Sequence, residues 1–207
     1  TRSNSNRTMK VVVYGSYPSR LSPAENQPSP LRLLPDSSLL FSPRPLFLPE
    51  VAPSFVARAA VALRVGRLGK SVAERFAGRY IDAVSAAYVV EACPSDALDS
   101  VERAFDGAAV LGRWQPLSHT PRQGAMYAYR FDCAGGAAGS QTYVHSATAD
   151  TAAAVVSRAS RYATLKTGDI FLLCAPAAFE LSPDSRLTAA VAHTAAASGS
   201  VLNVNVK

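Results

Sequence analysis

Hydrophobic and polar positions alternate most cleanly over residues 56–65. Val56, Arg58, Ala60, Ala62 and Arg64 fall on one face of a strand there, and Ala57, Ala59, Val61, Leu63 and Val65 on the other. The second face is wholly apolar and must point to a core. A turn at residues 66–70 and a short helix over 72–77, ended by Gly78, lead into a nearly continuous apolar run at 80–90, the pattern of a buried strand. Prolines recur through residues 18–53, which rules out long helices and suits short edge strands at 31–34, 39–41 and 46–48. After a polar connection over 92–100, strands are predicted at 108–111, 128–132 and 142–145, with turns at Gly124 and residues 135–139. Thr148 or Asp150 can cap a helix running to Tyr162, with Ala152, Val155, Val156, Ala159 and Tyr162 on one stripe. A tight turn at 165–169 then enters a strand at 170–174, and 187–191 pairs with 201–206 as a hairpin. The class is mainly β (α+β).

Bulk properties narrow the picture further. The 207 residues, 48% hydrophobic and 17% charged, suit one large domain over 9–207, with the polar stretch 1–8 read as a flexible tail or tag remnant before a natural start at Met9. No apolar run is long enough for a membrane helix and no signal-peptide pattern is visible, so the expectation is a cytoplasmic protein without membrane contact. Cys93, Cys133 and Cys174 have no paired spacing and read as reduced thiols. The formal charge is +6, but the arginines are scattered singly, so nucleic acid is not an expected partner.

Three segments carry a family resemblance. Residues 64–84, with Arg64-Val65-Gly66-Arg67-Leu68-Gly69-Lys70 followed by Ala73-Glu74-Arg75-Phe76-Ala77, are one. Residues 105–112, opening Phe105-Asp106-Gly107, are another, and Thr164-Leu165-Lys166-Thr167-Gly168-Asp169-Ile170 is the third. Together with Pro35-Asp36-Ser37-Ser38-Leu39-Leu40 they resemble the fumarylacetoacetate hydrolase family, close to its 2-hydroxyhepta-2,4-diene-1,7-dioate isomerase-like members. The resemblance implies a mixed β-sandwich roll with a few short helices, usually dimeric. It also implies a metal-dependent hydrolase, isomerase or decarboxylase acting on acylpyruvate-like or 2-oxo-3-ene dioate substrates.

The departures fall on the chemistry. Where the family places a Glu-x-Glu pair and a third carboxylate around Mg²⁺ or Mn²⁺, this chain has Arg58, Ala60 and Val89. A guanidinium about 4 Å from a dication costs roughly 8 kcal/mol at an effective dielectric near 20, so the metal is expected to be lost. The family's His and Glu on an early loop have no counterpart in Gly15-Ser16-Tyr17-Pro18-Ser19-Arg20-Leu21, and no histidine precedes His119. Arg103 replaces a lysine, and Leu173-Cys174-Ala175-Pro176 replaces Thr-Gly-Thr-Pro.

The expected protein is therefore a catalytically inactive member of the fold with a structural, regulatory or small-acid-binding role. It would work as a homodimer or paired with an active relative. Arg58, Arg64, Glu91, Arg103, Leu173 and Cys174 are the candidate ligand pocket, offered to a small carboxylic acid. Alternatively Arg58 pairs with Glu91 or Asp106 and fills the vacated site. Two further readings keep activity: a metal site shifted onto Glu91, and a Cys174 nucleophile served by His145 or His193. His119 reads as a surface residue and Asp169 as a turn-closing one.

Overall fold

The computed structural model describes residues 9–15, 29–93, 103–119, 124–135, 139–192 and 200–207. The tail at 1–8, the loop at 16–21, most of the connection at 92–100, residues 136–138 of the glycine-rich turn and His193 lie outside them.

Long apolar strands dominate. β4 (Ser54–Val65) and β5 (Ile81–Cys93) form an antiparallel pair joined by the short helix α1 (Glu74–Ala77) and a 3-10 turn (Gly78–Tyr80). β10 (Ile170–Leu181) flanks β4, and β1 (Lys10–Tyr14) adds to it in parallel, followed by β2 (Leu31–Pro35). On the other side β5 pairs with β6 (Ala109–Leu111), β6 with β3 (Leu39–Phe41), and β7 (Gln115–Pro116) also joins β5. Among the described residues this gives an eight-stranded sheet ordered β2-β1-β10-β4-β5-β6-β3.

That sheet cannot be flat. Its edge strands β2 and β3 are separated in the chain by only the Asp36–Ser38 turn. Arg32 on β2 also touches Glu91 on β5, although four strand spacings, roughly 19 Å if flat, divide them. The sheet therefore curls into a roll. Its inner face is lined by small and branched residues, among them Ala60, Ala62, Ala87, Val89, Ala109 and Leu172, all essentially inaccessible to water. Alanines predominate because the narrow interior leaves no room for larger chains.

The outer face carries the larger core. Val61, Leu63, Val65, Tyr88 and Phe171 pack there against α2 (Ala149–Tyr162) and a second sheet ordered β12-β11-β8-β9. Its strands are Leu202–Asn205, Arg186–Val191, Met126–Ala134 and Gln141–Thr148 in that order. Tyr88 ties the layers together: its hydroxyl reaches the Asp132 and Thr188 carbonyls at 3.1 and 3.0 Å, and its ring meets Phe131 edge-on. The mainly β roll with few helices agrees with the sequence expectation.

Details differ where tertiary contacts override local pattern. The first helix is only Glu74–Ala77 and then tightens into a 3-10 turn. Residues 46–48 form no regular strand: Leu46 makes an isolated parallel bridge to Val206, and the Leu48 N–H donates to the Lys207 carbonyl at 3.0 Å. Thr148, not Asp150, caps α2, its hydroxyl accepting from the Thr151 N–H at 3.0 Å. Tyr162 leaves the buried stripe because it ends the helix; it is 80% exposed. β10 runs seven residues past the predicted end at 174, through a bulge between Cys174 and Ala178. Among the described residues no helix is long and apolar enough to cross a membrane.

Candidate functional site

Period-two alternation places Arg58, Ala60 and Val89 on the inner face of the roll, and the β4–β5 register brings them together. Arg58 pairs directly with Val89, while Ala60 pairs with Ala87 on one side and Cys174 on the other. Ala60 and Val89 are fully buried among hydrocarbon neighbours. Arg58 lies toward one end of this face, beside Glu91 two residues beyond Val89 on β5.

Glu91 organises that end. Its Oε2 accepts from Arg58 Nε at 2.9 Å and its Oε1 from Arg32 Nη2 at 3.2 Å, so each carboxylate oxygen meets a guanidinium. Arg58 Nη1 also donates to the Pro176 carbonyl at 2.6 Å, made available where β10 bulges. The side chains are largely withdrawn from water, with 6% exposure for Glu91, 17% for Arg58 and 25% for Arg32. Of the two acids weighed as partners for Arg58, Glu91 is the one that meets it. Two guanidiniums therefore meet at this carboxylate.

Cys174 points into the same region from β10. Burial pushes its thiol up to about 12, the Glu91 charge adds to that, and the Arg32 and Arg58 guanidiniums pull the other way. A thiol held protonated is a poor nucleophile. His145 does not serve it. Its Nε2 donates to the Leu173 carbonyl at 2.9 Å from the four-stranded sheet, the side opposite Cys174, and its ring stacks on Tyr143. The donor must be Nε2 because a carbonyl only accepts. Burial lowers the His145 pKa, against the opposing effect of this bond.

Three members of the expected pocket lie elsewhere. Arg64 is six residues along β4 from Arg58, roughly 20 Å, where it forms a two-point ion pair with Asp82 at 2.8 and 3.1 Å and lies over Trp114. That pair needs Gly66, since a Cβ there would fall 2.7 Å from the Asp82 Cβ. Leu173 packs into the outer core, because neighbours on a strand point oppositely. Arg103 sits on the turn before β6 and not on a strand of the inner face. Arg32 was the residue that sequence reasoning missed. Its only signal is a lone cation in the apolar run Leu31-Arg32-Leu33-Leu34, and its role depends on a partner 59 positions away.

The Gly168–Asp169 turn is built as read, and more heavily. Gly168 takes φ +97°, and buried Asp169 accepts from the Lys166 N–H at 2.7 Å, from the Lys10 N–H at 3.1 Å and from the Lys10 ammonium. It anchors β1 to β10 and performs no chemistry at the mouth of the roll.

An oxygen-ligated divalent metal needs several carboxylates converging on one point. Glu91 has both oxygens engaged by arginines, and among the described residues no group of three or more His, Cys, Asp or Glu able to hold a metal occurs. These residues do not fit the metal that the family resemblance implies.

No family model matches the sequence, and no curated protein matches it. Solved structures do match. A fumarylpyruvate hydrolase from Pseudomonas aeruginosa, in complex with Mn²⁺ and pyruvate, aligns over 97% of this chain and 89% of that chain at 17% identity and a TM-score of 0.72. 5-Carboxymethyl-2-hydroxymuconate delta-isomerase from Mycobacterium smegmatis aligns over 95% and 78% at 18% identity, with a TM-score of 0.74. 2-Hydroxyhepta-2,4-diene-1,7-dioate isomerase from Mycobacterium marinum aligns over 95% and 73% at 20% identity, with a TM-score of 0.72. At these identities the likeness establishes the fold, and the fold is that of the fumarylacetoacetate hydrolase family.

Proposed function

We propose that this chain is a catalytically silent protein of the fumarylacetoacetate hydrolase fold, in which an ion-pair plug occupies the place where relatives carry out metal-dependent chemistry. The observation that carries the proposal is the Arg32–Glu91–Arg58 cluster. Glu91, the carboxylate considered for a displaced metal site, has both oxygens committed to arginines. A dication entering there would have to break two charge-assisted bonds and then lie beside two positive side chains. The apolar packing at Ala60 and Val89 supports the same reading, since a dry hydrocarbon environment offers no ligand for a metal and no donor for a developing oxyanion. Burial holds the Cys174 thiol protonated, and His145 bonds elsewhere, so this pair supplies no nucleophile.

On this reading the protein acts through its surface, as a structural or regulatory subunit in a homodimer or alongside an active relative. The decisive experiment incubates purified protein with Mn²⁺ or Mg²⁺ and an acylpyruvate, and follows both substrate absorbance and metal binding by calorimetry. The expected result is no turnover and no saturable metal binding. Metal-dependent turnover abolished by Glu91→Gln would overturn the proposal.

A second reading has its own support in the two guanidiniums that meet at Glu91. Arginine's planar fork recognises a small carboxylate well. The Pseudomonas aeruginosa relative is described with pyruvate, which makes 2-oxo acids the first ligands to try. A thermal shift with pyruvate or fumarate at millimolar concentration, lost in Arg32→Met, would favour this role. No shift with any such acid would remove it.

A further inference from the structure

Far from the mouth of the roll, residues 67–80 gather guanidinium groups that look isolated in the sequence. Arg75 and Arg79 both stack on the Phe76 ring, with their Cζ atoms 4.8 and 5.1 Å from its centroid. Arg67 faces Arg79 and Phe76 across an open hollow of about 310 Å³ that Leu68 and Tyr80 complete. All three arginines are exposed, and among the described residues none of them makes an ion pair or a hydrogen bond. Lys70 adds a fourth exposed cation, against the single acid Glu74 in the same stretch. Leu68, 72% exposed, leaves an apolar surface at the edge of the hollow.

We propose that this surface docks an acidic peptide segment of a partner protein, one that brings carboxylates to Arg67, Arg75 and Arg79 and an apolar side chain to Leu68. Stacking on Phe76 holds two guanidiniums extended before any ligand arrives, which reduces the ordering cost of binding. Their planar forks are shaped for paired contacts with carboxylates. A nucleic acid is the weaker fit. The Phe76 ring already carries guanidiniums in place of a base, and two stacked arginines with Arg67 across the hollow do not make a track for a phosphate backbone. The apolar wall contributed by Leu68 also calls for a side chain rather than a phosphate.

The test is fluorescence anisotropy with the full-length protein and a labelled peptide of Glu-Glu-Leu repeats, with a Gln-Gln-Leu peptide and a single-stranded oligonucleotide as comparators. The acidic peptide binds, weakens with added salt, and loses about tenfold or more in affinity when Arg67→Ser and Arg79→Ser are combined. Melting curves on the same variant confirm that it stays folded, as expected for exposed side chains. Arg79→Lys, which keeps the charge but not the fork, falls between. The proposal is overturned if the acidic peptide does not bind, if its affinity is unchanged in the double variant, or if the oligonucleotide binds the same arginines more tightly.

Discussion

Replacing Glu91 with leucine would leave Arg32 and Arg58 facing each other across a space from which their shared anion has gone. Breaking a buried ion pair from one side costs roughly 3–5 kcal/mol, because the remaining charge keeps its desolvation penalty and loses its partner. Here the stranded guanidiniums are 25% and 17% exposed, so they recover some hydration and the lower end applies, about 3 kcal/mol. For a chain of this length that corresponds to a fall in Tm of roughly 6–12 °C. Urea unfolding followed by circular dichroism measures the loss directly, with an unchanged m-value showing that the denatured state is not the cause. The companion variant combines Arg32→Met, Arg58→Met and Glu91→Leu. Hydrophobic replacement of an entire buried ionic cluster is close to neutral, so it should return to within about 1 kcal/mol of the parent. A Glu91→Leu loss under about 1 kcal/mol would show that water screens the cluster as it does a surface pair, and the plug interpretation would fail.

Other contacts lead to equally direct measurements. Tyr88→Phe removes the hydroxyl that reaches both the Asp132 and Thr188 carbonyls between the two sheets, and should cost about 1–3 kcal/mol in urea unfolding; a neutral result would mean the layers do not depend on that tie. Asp169→Asn should cost several kcal/mol, about 3 or more, since it strands the Lys10 ammonium beside a fully buried side chain, and its effect should be largely relieved by adding Lys10→Met. For His145 the folded pKa is depressed, so the unfolded chain takes up the proton first. Stability from this group is complete above about pH 6.5 and declines as pH falls toward the lower folded value, and His145→Gln should flatten the Tm–pH curve in that window if the assignment is right.

Much of the architecture was readable because it depends on near neighbours. Strand faces follow from period-two alternation, which is why the opposite faces of residues 56–65 were assigned correctly. The Gly168–Asp169 turn follows from a backbone angle that favours glycine and a side chain that bonds three residues back. Errors arose where a residue's environment is set by distant chain. Leu173 and Cys174 are adjacent in the sequence but point to opposite sides of β10. Arg64 shares a face with Arg58 but lies too far along the strand to share its site.

The amino-acid order alone determined that Arg58 and Ala60 share one face of a strand and that neither they nor Val89 carries a carboxylate, since side-chain type and strand periodicity are local properties. Only the tertiary structure decided what Arg58 meets. The sheet's curl brings Arg32 to Glu91 across 59 positions, and the β4–β5 pairing brings Arg58 to it across 33. Curl and register are summed over many strands, so no single segment of sequence encodes the Arg32–Glu91–Arg58 cluster.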